Sequence, residues 1–303
     1  MNNLLLYLAA VLIWGSTWLA ITFQLGKVPP EVSVAYRFAL AGCVLLAWCA
    51  ARRERLRFSA REHLWMGLQG TLLFGINYVC VYQAESRISS GLVAVVFSLI
   101  VFFNIAGTRV FFGTPLKPSL LFSAVLGVGG LTLVFLPEFS RPVAGGSAVS
   151  GMIFALVATV CASFGNLVAA RNQRRGLPVL QLNTFGMLYG ALLVTGYALA
   201  SGRTFTLETS GAYLGSLVYL AVFGSILAFG AYLTLVGRIG ADRAGYANAM
   251  IPVVALLLSI GFEGLRLHAT ELLGIALCLA GNILVLSRRK QPEPVAQPAK
   301  QAA

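Results

Sequence analysis

Apolar residues in this chain come in long uninterrupted runs, with the charged residues gathered into short stretches between them. Ten runs are bounded in this way, near 4–25, 32–51, 64–84, 88–112, 119–136, 148–170, 177–200, 211–236, 244–262 and 270–287. A bilayer core about 30 Å thick is crossed by about 20 helical residues, so each run predicts a spanning helix. A membrane β-barrel would instead alternate apolar and polar positions over about 10 residues. The pattern predicts an all-α polytopic membrane protein of ten transmembrane helices.

Composition agrees. With 58% hydrophobic and 11% charged residues and a mean hydropathy of +0.83, the chain has more apolar surface than a soluble core of 303 residues can hide. Run 1 lacks a basic leader, carries Trp14 and Trp18, and is followed by LGKVPP, a poor cleavage site, so it reads as a helix and not as a signal peptide. The end from Arg288, RRKQPEPVAQPAKQAA, is basic and then Pro/Ala/Gln-rich, which predicts a disordered tail over 288–303.

Charge sets the expected orientation. With the N-terminus cytoplasmic, 16 of the 22 Lys and Arg fall in inner loops and the tail, and five, Lys27, Arg87, Arg141, Arg203 and Arg266, in outer loops. That bias predicts both termini inside a bacterial inner membrane. A net charge of +12 would point to nucleic acid in a soluble protein, but here topology and anionic lipid headgroups account for it, and no nucleic-acid partner is expected. The five cysteines fall inside runs with no CxxC spacing, so neither a disulfide framework nor a metal site is implied, and no motif calls for a cofactor.

Sliding the chain along itself by 148 to 151 residues brings like features together. Pro30 meets Pro178 and Gly42 meets Gly190; Ile88 meets Ile239, Leu116 meets Leu267, and Gly130 meets Gly281. Five spans separate equivalent points, so the second half crosses the membrane in the opposite sense. The expected organisation is an inverted repeat of 1–140 and 141–287, a form that places a substrate site near the midplane and provides two related conformations for alternating access.

WGSTW in run 1, AYRF in run 2, IPVVALLLSIGFEGLRL closing run 9 and AGNILV in run 10, together with the two five-span halves, resemble the EamA family of the drug/metabolite transporter superfamily. The resemblance covers nearly the whole chain and, within the family, is closest in character to bacterial aromatic amino-acid exporters of the YddG type. It implies a secondary transporter, not an enzyme. Family members usually show a Pro in helix 4 and a Gly-Glu pair ending helices 4 and 9; here Val101 stands opposite Pro252, and Thr114 and Leu265 occupy the Glu positions.

No GxxxxGK[ST] occurs, which leaves a gradient as the driving force. The ten acids lie in loops, the tail or at span ends, and neither His63 nor His268 is mid-span. That placement favours facilitated diffusion or substrate-gradient export over proton antiport, with a helix-end Glu drawn into a cavity as the alternative.

Polar and aromatic positions inside the spans outline a path. Phe74, Tyr78 and Tyr82 follow i, i+4, i+8 spacing beside Asn77, and Phe229 is the repeat mate of Tyr78. Ala94, Phe97, Ser98 and Val101 share a face and have Gly245, Asn248, Ala249 and Pro252 as mates; Trp18 is matched by Asn166, and run 7 adds Asn183 and Thr184. The expected substrate-lining set is Trp14, Trp18, Asn77, Tyr78, Tyr82, Phe97, Ser98, Asn166, Asn183, Phe229 and Asn248. The same spacing also suits rings packed in the core or facing lipid, and amides used as interhelical glue. Pro252 leaves the Asn248 carbonyl without its helical donor, which predicts a sharper bend in helix 9 than in helix 4. Arg37, about 7 to 8 Å into its helix at 1.5 Å per residue, reads as an outer-side anchor or gate that snorkels to the interface. GMLYG at 186–190 and GAYLG at 211–215 have small-xxx-small form and read as packing within a monomer, a dimer through GMLYG being the alternative.

An aromatic, amide-bearing, acid-free path suits small neutral or zwitterionic metabolites, above all amino acids with large apolar side chains. A drug or toxic-cation exporter is the alternative within the class. A membrane enzyme would bring clustered His, Asp or Glu or a nucleophile beside a base, and none is found.

Overall fold

The computed structural model describes residues 2–113, 118–136, 148–239 and 246–287; Thr114, Leu116, Gly245 and the tail 288–303 lie outside the described residues. Ten helical spans follow the ten apolar runs. They are α1 (Asn3–Thr22), α2 (Pro30–Ala51), α3 (Ala60–Glu85), α4 (Ser90–Phe97 with Ile100–Phe112), α5 (Pro118–Phe135), α6 (Ala148–Arg174), α7 (Val179–Ala200), α8 (211–239), α9 (Tyr246–Phe262) and α10 (Ala269–Ser287). Large apolar side chains such as Leu64, Val110, Leu192 and Phe262 stay exposed on the outside of the bundle, as contact with lipid hydrocarbon allows.

Local sequence explains the start of α3. The Ser59 hydroxyl accepts from the Glu62 amide at 3.3 Å, and Glu62 Oε2 accepts from the Ser59 amide at 2.6 Å, a reciprocal cap that begins the helix at Ala60, four residues before the apolar run.

Helix pairing follows the repeat. α5 packs along α10 and α2 along α7; α1 packs on α9 as α6 does on α4, and α3 packs on α6 as α8 does on α1. Exchanging each helix for the one five places on leaves this set of contacts unchanged. The match reaches single atoms at the α5–α10 seam. A Cβ placed on Gly130 would lie 2.5 Å from the Gly274 carbonyl oxygen and 2.8 Å from the Cys278 nitrogen. One on Gly281, its mate at offset 151, would lie 2.8 Å from the Ser123 oxygen and 3.3 Å from the Gly127 nitrogen, and Ser123 and Gly127 are the mates of Gly274 and Cys278. Only glycine lets these backbones approach so closely. Gly186 and Gly190 of GMLYG also pack inside the chain, against Phe74 and the Gly70 backbone of α3, while Gly211 and Gly215 of GAYLG face open space.

Two local features were not foreseen in the sequence. α3 is π-helical over Thr71–Ile76 and α8 over Tyr219–Leu227, again at matching places in the two halves. In addition α4 is interrupted at Ser98 and Leu99, whereas α9 runs as one helix through Pro252. The interruption therefore falls in helix 4, the half without the proline. At the α4 break the Ser98 hydroxyl donates to the Val95 carbonyl at 2.7 Å and the Leu99 amide to the Val96 carbonyl at 3.1 Å, so the ladder tightens to i→i−3 bonds.

Candidate functional site

A cavity of about 390 Å³ opens among α1, α3, α4, α6, α7, α8 and α9. It lies on the axis relating the halves. The repeat mates Trp14 and Ala162, Trp18 and Asn166, Ile21 and Ala169, Tyr78 and Phe229, Val81 and Tyr232, Phe97 and Asn248, Ile100 and Ile251, and Val101 and Pro252 all line it. Of the residues expected from sequence, Trp14, Trp18, Asn77, Tyr78, Phe97, Ser98, Asn166, Asn183, Phe229, Asn248 and Pro252 come together here.

Tyr82 does not. Its side chain is fully buried away from the cavity and its hydroxyl donates to Gln24 Oε1 at 2.7 Å, while Val81 takes the lining position. At about 100° per residue, i+8 falls about 80° from the position of Phe74 whereas i+7 falls only about 20° away, so an i, i+4, i+8 stripe drifts off the face it began on. Tyr82→Phe is expected to lower the unfolding temperature in detergent by an amount equivalent to about 1 kcal/mol, because Gln24 Oε1 loses its donor. An unchanged melting curve would show that this hydrogen bond contributes nothing.

The π segments position the polar groups. In α8 the Ala228 amide donates to Phe223, so the Gly224 carbonyl is available and accepts from Trp14 Nε1 at 3.1 Å. In α3 the mate of Gly224 is Leu73, whose carbonyl accepts from Asn77 Nδ2 at 3.0 Å. A carbonyl can only accept, so this bond fixes which end of the Asn77 amide points away from it. Asn77 Oδ1 is buried with no partner, and so is Asn104 Oδ1; both residues line the cavity.

Aromatic rings form much of the wall. Trp14 meets Phe229 edge-on at 5.0 Å and Tyr232 at 5.2 Å, and Trp18 meets Phe97 at 5.3 Å. The amides Gln69, Asn104 and Gln173 and the ring of Tyr232 join the wall without having been singled out in the sequence. Applying the offset of 151 to Val81 finds Tyr232, but an amide inside a span gives no sign of which way it points. No Asp, Glu, Lys, Arg or His is among the lining residues.

Arg37 sits one layer behind the wall, not at the interface. It is 1% exposed, its Nε donates to Ser225 Oγ at 3.3 Å, and its guanidinium lies 4.5 Å from the ring of Tyr78 and 5.1 Å from that of Phe38. The snorkelling expectation is corrected: the π turn of α8, in which Ser225 Oγ also donates to the Leu220 carbonyl at 2.9 Å, holds an acceptor close enough to draw the charge inward. Glu31 and Glu85, at helix ends as expected, are packed inward, and neither lines the cavity. Glu85 and Glu31 are 7% and 2% exposed, and Glu263 Oε2 accepts from the Ser90 amide at 3.0 Å and the Ser259 hydroxyl at 2.5 Å.

A family profile, the EamA-like transporter family, matches residues 1–136 and again 149–287, two matches that together take in every described span. The chain belongs to the EamA-like transporter family. It is therefore a multi-pass membrane transporter and not an enzyme. Similar proteins include the uncharacterized inner membrane transporter YedA of Escherichia coli, 28% identical over 91% of this chain and 88% of that protein. The uncharacterized transporter YoaV of Bacillus subtilis is 23% identical over 93% of this chain and 97% of its own length. A solved protein structure superposes with a TM-score of 0.65 at 20% identity, covering 93% of this chain and 96% of the other, which shows the shared fold.

Proposed function

We propose that the protein is a secondary exporter of small neutral or zwitterionic metabolites, above all aromatic and other large apolar amino acids, working by alternating access between halves 1–140 and 141–287. One observation carries the mechanism. Gln69, Asn104, Leu182 and Asn183 line the cavity on the side bearing the chain termini, yet none of their repeat mates Leu220, Ala255, Val34 and Ala35 lines it. Equivalent positions thus line the cavity in one half and lie outside its wall in the other. Exchanging those two arrangements would open the cavity to the far side. The charge bias of the loops makes the open side cytoplasmic, with the protein in a bacterial inner membrane.

The wall supports the substrate class. Rings of Trp14, Trp18, Tyr78 and Phe229 provide apolar stacking surface, and the free acceptors Asn77 Oδ1 and Asn104 Oδ1 suit an ammonium or N–H donor. A permanent organic cation would also find rings and acceptors, but the Arg37 guanidinium 4.5 Å behind Tyr78 opposes it. In proteoliposomes, labelled L-phenylalanine is expected to exchange against internal unlabelled amino acid well above the rate in empty liposomes. Exchange of ethidium with no exchange of any amino acid would replace this reading with a cation exporter.

A further inference from the structure

The two halves contribute different hydrogen-bonding groups to the cavity wall. The unpartnered acceptors Asn77 Oδ1 and Asn104 Oδ1 belong to the first half, and their repeat mates at offset 151, Ala228 and Ala255, have no polar side chain. Those oxygens suit an ammonium group. A carboxylate accepts only, so it needs donors that they do not provide.

Donors stand in the second half. Tyr232 of α8 and Asn248 of α9 both line the cavity and are half-buried, and Asn248 Nδ2 donates to Tyr232 Oη at 3.4 Å. The phenol oxygen is the acceptor in that bond, so its own proton is left to donate, while the amide nitrogen spends one of its two protons and keeps the other. Neither side chain makes another hydrogen bond among the described residues. One O–H and one N–H are therefore available side by side, a pair of donors for the two oxygens of a carboxylate. Accepting from Asn248 also polarises the phenol, which strengthens the bond it donates.

The surroundings favour this use. Three other donors in the wall are spent inside the protein: Trp14 Nε1 on the Gly224 carbonyl at 3.1 Å, and the Thr17 and Ser98 hydroxyls on the Trp14 and Val95 carbonyls at 2.7 Å each. No Asp or Glu lines the cavity to repel an anion. The mates of Tyr232 and Asn248 are Val81 and Phe97, so the first half has no counterpart to this pair. The ring of Trp14, 5.2 Å from that of Tyr232 and 5.0 Å from that of Phe229, places aromatic stacking surface beside the donors.

We infer that Tyr232 and Asn248 form a carboxylate subsite, so that an amino acid lies across the boundary between the halves, its ammonium group on the first-half acceptors and its carboxylate on this pair. The orientation rests on the amino-acid reading above. It has a mechanical consequence. A ligand gripped by both halves acts on their relative arrangement, whereas one gripped by a single half has no differential hold on it.

Tyr232→Phe removes the O–H and keeps the ring, and Asn248→Leu removes the N–H from a different helix, so each serves if the other fails to fold. In proteoliposomes holding the full-length protein, exchange of labelled L-phenylalanine is expected to be inhibited about ten-fold or more better by unlabelled L-phenylalanine than by 2-phenylethylamine, which keeps ring and ammonium group but lacks the carboxylate. Both variants are expected to bring the two inhibitors to near equality by weakening the acid and not the amine. An undiminished preference in both variants overturns the subsite, as does equal weakening of both inhibitors, the result a merely structural role would give. Apart from amino-acid transport, 3-phenylpropionate is expected to raise the unfolding temperature of the detergent-purified wild type and of Asn77→Leu, and to leave that of Tyr232→Phe and Asn248→Leu unmoved. Equal stabilisation of every form, or of none, overturns the subsite whatever the protein carries. That selective pattern without any exchange of L-phenylalanine overturns the amino-acid reading instead and leaves the carboxylate subsite standing.

Discussion

Gly130→Ala is expected to lower the unfolding temperature of the detergent-purified protein by about 3 to 10 °C, while Gly129→Ala, one position earlier, leaves it unchanged or raises it slightly. A methyl group on Gly130 would meet the Gly274 oxygen at 2.5 Å and the Cys278 nitrogen at 2.8 Å, and both are backbone atoms that no rotamer change can move aside. One on Gly129 meets nothing within 4 Å, and the substitution there improves helix propensity. Because the seam is reciprocal, Gly274→Ala should behave like Gly130→Ala: its methyl would lie 2.5 Å from the Gly130 oxygen. Equal melting of the Gly129 and Gly130 variants would mean that α5 and α10 are not packed as described.

Replacing Asn77 or Asn104 by Leu is expected to slow L-phenylalanine exchange about ten-fold or more, since a hydrogen bond to a charged group contributes about 1.5 to 3 kcal/mol and each variant removes a dry, preset acceptor. The effect should depend on the substrate. 3-Phenylpropionate, which keeps the ring and the carboxylate but lacks the amino group, is expected to be a poor substrate of the wild type and to lose nothing further in Asn77→Leu. Phenylalanine exchange at the wild-type rate per folded molecule in both variants would remove the amides from substrate recognition. The Asn77 position is the more exacting of the two, because its Nδ2 is committed to the Leu73 carbonyl at 3.0 Å and only the oxygen remains to meet a ligand.

The fold and much of the candidate site were legible in the chain. Span positions follow from apolar run length, because backbone groups in lipid must be satisfied within a helix. The repeat offsets of 148 and 151 then pair Trp18 with Asn166, Tyr78 with Phe229, and Phe97 with Asn248, and all six line the cavity. Tyr82 shows where spacing fails: a regular stripe ignores both rotational drift and a π segment that shifts register. Arg37 shows the other limit. Depth along a helix says how far a charge must reach to water, but not whether Ser225 and the ring of Tyr78 lie nearer.

The sequence by itself determined the class, the ten spans, the twofold organisation and the chemical character of the path, because these depend on length, hydropathy and offset, all one-dimensional quantities. The tertiary structure alone decided which of two equivalent arrangements each half adopts. Leu182 lines the cavity while its mate Val34 does not, although the repeat treats the two positions alike. It also decided that Glu263 accepts from the amide of Ser90, 173 positions away in the chain, at 3.0 Å. Burial and charge pairing arise from contacts between helices distant in sequence, and no local pattern records which side chains those contacts remove from water.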